Sequence, residues 1–296
     1  MKLRSLLFYI AVIILSGCAS YNAKYADNIT QKTITSNKEL VHSFYLIGDA
    51  GNADIGETIP SLTYFQKALE KSNKNATALF LGDNVYPYGI PKKEHKDRTL
   101  AEHRIQTQID AVNGFKGNPI FIPGNHDWYN GVKGLKRQEK IVEDALGKGS
   151  FLPENGCGLK KVEINDDLTL IIIDSRWFIT DWNNHPTINE NCDIKTRERF
   201  IDEVWGLFKK NRYKNVVVAM HHPMFSNGPH GGSYSFKDHM SPLPILGTLK
   251  NGLRTHAGIQ TDIFNKNYTD FVNRLQAISG DFRQNIIFVS GHEHNL

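Results

Sequence analysis

Short apolar runs recur along this chain, and between them the apolar positions fall into helical spacing. Phe44 to Ile47, Ala78 to Leu81 and Ile120 to Ile122 are brief runs closed by Gly, Asn or Asp, which predicts buried strands. Ile59, Leu62, Phe65 and Leu69 repeat every three or four residues and predict a helix with one apolar stripe. Val162 to Ile164 and Leu168 to Ile173 flank Asn165, Asp166 and Asp167, a turn sequence that predicts a hairpin. A helix is expected from about Thr196 to Lys210, then strands at Val216 to Met220 and Ile286 to Val289. Strands alternating with helices predict an α/β fold.

Two stretches break this rhythm. Residues 18–40 are polar, with no sustained apolar period, and read as a tether. From Phe225 to Asp262 the chain is rich in Gly, Pro, Ser and His and shows little periodicity, so it is expected to be a long loop bordering a substrate cleft. Ahead of the tether, Lys2 and Arg4 precede an apolar run from Leu6 to Leu15 and then Ser16, Gly17 and Cys18. That pattern predicts a lipoprotein leader at residues 1–17, with Cys18 as the acylated first residue of a mature chain anchored in the bacterial cell envelope, periplasmic or surface-exposed.

Composition changes this picture little. Apolar residues at 40% and charged residues at 22% of 296 positions are those of a globular protein, so one catalytic domain is expected over residues 41–296. The net charge of +4 is spread among acidic residues, which gives no footprint for a nucleic acid. Cys157 and Cys192 either pair or stand as two free thiols, because two cysteines carry no spacing information.

The chemistry lies at the strand ends. GDAGN at Asp49, GDNVY at Asp83, GNHD at Asn125, HHP at His221 and GHEH at His292 each follow an apolar run, where α/β sheets place their ligand sites. Aspartate, tyrosine, asparagine and histidine are ligands that iron, zinc and manganese accept. A carboxylate shared by two cations holds them about 3.5–4 Å apart, and Asp83 is the candidate bridge.

The ordered set GDxG, GDxxY, GNHD, VxxH and GHxH resembles the purple acid phosphatase branch of the calcineurin-like metallophosphoesterases. The resemblance implies a four-layer α-β-β-α sandwich of two mixed sheets. It implies a ferric ion held by Asp49, Asp83, Tyr86 and His294, and a divalent ion (Fe, Zn or Mn) held by Asp83, Asn125, His221 and His292. Tyr86 is the residue that separates this branch from its relatives. His126 and His230 fall where the family keeps two histidines near the phosphate, able to bind its oxygens or protonate a leaving alkoxide. Asp127 is expected to orient His126 or a ligand through a hydrogen bond.

The activity so implied is hydrolysis of phosphate monoesters, on a small molecule or peptide, by a metal-activated hydroxide. A phosphodiesterase or nucleotidase on the same scaffold and an inactive surface-binding lipoprotein are the rival readings. The family's sheet continues beyond GHxH, whereas this chain stops at Leu296, so C-terminal strands are expected to be missing.

Overall fold

The computed structural model describes residues 40–282 and 285–294. The leader, Cys18 and nearly all of the tether lie outside them. Three strands form the first sheet, Ser43–Ile47 (β1), Ala76–Phe80 (β2) and Asn118–Phe121 (β3), paired in parallel in the order β1-β2-β3. All five residues of β2 are buried, the pattern of a strand covered on both faces. Parallel pairing requires crossovers, and Pro60–Glu70 (α1) and Arg98–Ala111 (α2) supply them. The α1 helix starts on a proline and buries Leu62, Phe65 and Leu69, the predicted stripe. Gly131–Leu146 (α3) follows the first sheet.

The second sheet is mixed. Leu159–Asn165 (β4) and Leu168–Ile173 (β5) form the expected antiparallel hairpin, and β5 then pairs in parallel with Asn215–Met220 (β6), which pairs with Ile286–Val289 (β7). Between β5 and β6 lie Ser175–Ile179 (α4) and Arg197–Lys210 (α5). The Thr196 hydroxyl caps α5 by accepting from Arg199 N at 3.1 Å.

The two sheets pack face to face. Leu79, Leu81, Ile120 and Ile122 of the first meet Leu170, Ile172, Val217 and Ala219 of the second in one buried cluster. Alternation turns Phe80 and Phe121 to the opposite face, where their rings stack at 3.9 Å and Phe65 of α1 meets Phe80 edge-on at 5.4 Å. On the outside of the second sheet, α5 buries Phe200, Val204 and Phe208. This is the helix-sheet-sheet-helix arrangement expected, with the first sheet's described strands all parallel.

The described residues divide into two compact units, Leu40–Pro223 with Asp270–His294, and Met224–Thr269. The smaller unit differs from the irregular loop expected over Phe225 to Asp262, since it contains the helices Phe236–Met240 (α6) and Pro244–Ala257 (α7). Ser235 and Asp238 cap α6 reciprocally. A last helix, Lys266–Gly280 (α8), precedes β7.

Candidate metal centre

The five motif loops leave the carboxyl ends of β1, β2, β3, β6 and β7, and the first two interlock through the backbone. Asp49 N donates to Gly82 O at 3.0 Å, Gly51 N to Asp83 O at 3.2 Å, and Tyr86 N to Gly51 O at 3.0 Å. Gly51 permits this approach, because a Cβ there would lie 2.2 Å from the Asn84 carbonyl oxygen. Likewise a Cβ on Gly124 would lie 2.2 Å from Asp83 Oδ1. Asp49, Asp83 and His292 sit at φ of 56°, 53° and 74°, left-handed conformations that cost a non-glycine residue of order 1–2 kcal/mol each.

These loops bring all seven predicted ligand residues together in the larger unit. Tyr86 Oη lies 3.1 Å from Asp49 Oδ1 and 3.0 Å from His294 Nε2, and His294 Nε2 lies 3.2 Å from Asp49 Oδ1, so three donor atoms form a nearly regular triangle. In a second group, His221 Nε2 lies 3.1 Å from Asn125 Oδ1, 3.1 Å from His292 Nδ1 and 3.4 Å from Asp83 Oδ2. Asp83 also acts on Tyr86, which puts its carboxylate between the two groups. Leu81 O, 2.8 Å from His221 Nδ1, can only accept, so Nδ1 carries a hydrogen toward it and Nε2 is the nitrogen directed at the centre.

The electrostatics match a cationic occupant. Burial acts to raise Asp83, yet His221 and His126 hold its carboxyl well below the usual range. Burial disfavours charge on His221, but Asp83 outweighs it and pushes the imidazole up to about 9. Burial, Asp83 and Asp49 drive the Tyr86 phenol far above its ordinary value, and a hydrogen bond to Asp49 raises His294. Two carboxylates thus dominate the local field. Asp83, His221 and His292, all buried, offer ligand atoms within 4.8 Å of one another, which fits a metal ion.

A family model described as calcineurin-like phosphoesterase matches residues 42–296. The chain belongs to the calcineurin-like phosphoesterase family. The chain matches no curated relative. Calcineurin-like phosphoesterases hydrolyse phosphoesters with two metal ions, and the paired donor groups are the candidate site for that chemistry in this member.

Three further placements shape the site in this calcineurin-like phosphoesterase. His126 Nδ1 lies 2.6 Å from Pro87 O, and the ring lies 4.2 Å from that of Tyr86, which leaves Nε2 toward Asp83 at 3.9 Å. Asp127 does not hold His126 or a ligand side chain, contrary to expectation. Fully buried, its carboxylate accepts from Gly124 N, Asn84 N, Asn84 Nδ2, Val85 N and Gln138 Nε2 at 2.8–3.2 Å, tying the GDNVY loop to GNHD and α3. Tyr129, unpredicted, accepts from Asn125 Nδ2 at 3.0 Å, which aims Oδ1 at His221. Its only trace in the sequence is its position four residues after Asn125.

His230 belongs to the smaller unit. There its Nδ1 lies 2.8 Å from Oδ1 of Asp262, a buried carboxylate that Arg254 grips with Nε and NH2 at 2.5 and 2.6 Å. Burial opposes ionisation of Asp262, but Arg254 and His230 hold its carboxyl below the usual range. His222 packs its ring 4.5 Å from that of His292 and sets its Nδ1 2.8 Å from Ser175 Oγ. Cys157 and Cys192 form a disulfide with Cα atoms 5.5 Å apart.

Proposed function

We propose that the protein is a phosphomonoesterase of the purple acid phosphatase type. In this reading Asp49, Asp83, Tyr86 and His294 hold a ferric ion, and Asp83, Asn125, His221 and His292 hold a divalent iron, zinc or manganese ion. The observation that carries it is the Tyr86 hydroxyl, half-buried beside Asp49 Oδ1 and His294 Nε2 at 3.1 and 3.0 Å. Burial, with the Asp83 and Asp49 carboxylates beside it, keeps this phenol protonated on its own, so binding an ion as a phenolate calls for a strong Lewis acid, as a trivalent ion would be.

Bound at these donors, the ions supply Lewis acidity and a hydroxide nucleophile at neutral pH. The chain's own part is to hold the ester and manage protons. Pro87 O fixes His126 through Nδ1, so the His126 Nε2 edge binds a phosphoryl oxygen or gives a proton to the leaving alkoxide. Within the smaller unit, Asp262 fixes His230 through Nδ1 at 2.8 Å. A cleft of about 590 Å³ shares Tyr86 and Tyr129 with the site and offers room for the alcohol portion of the ester. We place the protein on the cell envelope through acylation of Cys18.

The decisive experiment pairs metal analysis with visible spectroscopy. The purified protein is expected to contain iron and to show a charge-transfer band that Tyr86→Phe abolishes. A colourless, zinc-loaded and active protein would sink the ferric assignment. On a panel of mono- and diesters, faster turnover of the monoesters is expected, and Asp83→Asn is expected to remove it. A preference for diesters would favour the phosphodiesterase reading, and no turnover of either class the binding-protein reading.

A further inference from the structure

The smaller unit contains a helix whose amphipathicity is inverted. In α7 the inward positions are Gly247 and Asn251, while Ile245, Leu246, Leu249 and Leu253 face outward at 69, 50, 57 and 62% exposure. Packing dictates this. Gly247 lies against the end of α6, where a Cβ would come 2.3 Å from His239 O, so only a glycine edge fits inward. Phe236 and Leu243, also exposed, extend the apolar face past the helix. Clusters of exposed aliphatic residues on this scale mark surfaces that are covered in use.

Charge decides among the possible covers. From Ser235 to Ile259 the exposed charged or titratable side chains are Lys237, Lys250 and His256. The one acidic residue in that stretch, Asp238, accepts from Ser235 and is half-buried. Arg254 is spent on Asp262. A second copy docked on the same face would set lysine against lysine. An apolar stripe whose exposed charges are Lys237 and Lys250 suits an anionic lipid surface, with aliphatic side chains at the acyl boundary and lysines at the headgroups. Among the described residues no helix is long and apolar enough to cross a bilayer, so α7 would lie on one. The lipoprotein leader read at residues 1–17 would bring the chain to such a surface independently.

We propose that α7 is an interfacial helix that seats Ile245, Leu246, Leu249 and Leu253 on an anionic membrane. The test uses the full chain with Cys18→Ser, so that acylation plays no part, and Leu246→Cys bearing an environment-sensitive fluorophore; the disulfide leaves no other thiol to label. A second protein carries the label at the exposed Lys74→Cys in the larger unit.

On vesicles of equal parts phosphatidylcholine and phosphatidylglycerol, emission at position 246 should shift to the blue and iodide quenching should fall about threefold, while position 74 stays unchanged. Lys250→Glu, an exposed change that leaves the fold alone, should raise the lipid concentration for half the shift about fivefold. Unaltered iodide quenching at 246 on vesicles that carry the protein overturns the proposal. So does a blue shift that grows with protein concentration without vesicles, which would make a second copy the cover.

Discussion

Replacing Asp127 probes how the centre is held without touching a ligand. Its two oxygens divide five donors unequally, since Oδ2 takes Gly124 N, Asn84 N and Asn84 Nδ2, and Oδ1 takes Val85 N and Gln138 Nε2. In Asp127→Asn the amide oxygen can replace Oδ2, but its NH2 then faces Val85 N–H and Gln138. Gln138 can rotate its amide and present Oε1; the Val85 N–H cannot turn. One buried donor therefore loses its acceptor, at about 1–3 kcal/mol. In Asp127→Ala all five donors lose theirs, and partial hydration of the space limits the cost to about 3–5 kcal/mol. Urea unfolding should order the proteins as wild type, Asn and Ala, with about 2 kcal/mol between the last two. Burial and the neighbouring Asp83 push this carboxyl up to about 7, so a protonated Asp127 is the specific rival. Equal midpoints for wild type and Asp127→Asn at pH 6, below that value, would establish that rival and refute the five-donor carboxylate.

Two other perturbations follow from buried groups away from the ligands. The Cys157–Cys192 bond closes a loop of 35 residues in sequence separation, so its loss through the double serine variant should cost about 4 kcal/mol by chain entropy; thermal scans of that variant beside wild type measure it. Asp174, fully buried, is pushed up to about 7 by burial although Trp177 N and Trp128 Nε1 donate to it. A carboxyl raised in the folded state stabilises below its unfolded pKa of about 4 and loses that contribution as pH rises through 7. The stability of wild type over Asp174→Asn should therefore shrink between pH 4 and 7 and level off above; a difference that grows with pH would contradict the sign.

What could be read from the sequence depended on whether buried positions were apolar. Every predicted strand is present, because β2, β5 and β6 are covered on both faces and appear as unbroken apolar runs. The α1 stripe was equally plain. The α2 helix was not, since Arg104 and Gln108 occupy its buried face and bind the Ala53, Tyr86 and Asn84 carbonyls. In α3, Gln138 and Glu139 are buried likewise, Gln138 donating to Asp127 Oδ1 and Glu139 accepting from Asn155 N. Helices whose inward face supports loops through polar groups lose the period by which they are recognised. The α7 helix is hidden for the opposite reason, with its aliphatic residues outside. At the site, the residues that the motif loops bring together were legible as a set from the motifs, whereas the hydrogen bonds of Asp127 and Tyr129 were not, because they depend on which backbone donors and amides the folded loops present.

The same geometry links ion binding to folding. Asp49, Asp83, Tyr86 and Asn125 come from loops of the first sheet, and His221, His292 and His294 from loops of the second. Protein bonds already cross between the two sets of loops, His292 N to Asp49 Oδ2 at 2.8 Å and His221 Nδ1 to Leu81 O at 2.8 Å among them. An ion bound by residues of both sheets would hold them together at the ends of their strands, where Asp49, Asp83 and His292 sit in left-handed conformations. Binding confined to the folded state stabilises by about 2.7 kcal/mol at a free ion concentration of 100 times Kd. Chelation should therefore lower the unfolding midpoint by several degrees, and Asp83→Asn should lose most of that dependence, because the carboxylate between the two donor groups is gone. A midpoint unmoved by chelator, in protein shown to have contained metal, would mean that the loops hold their arrangement without an ion.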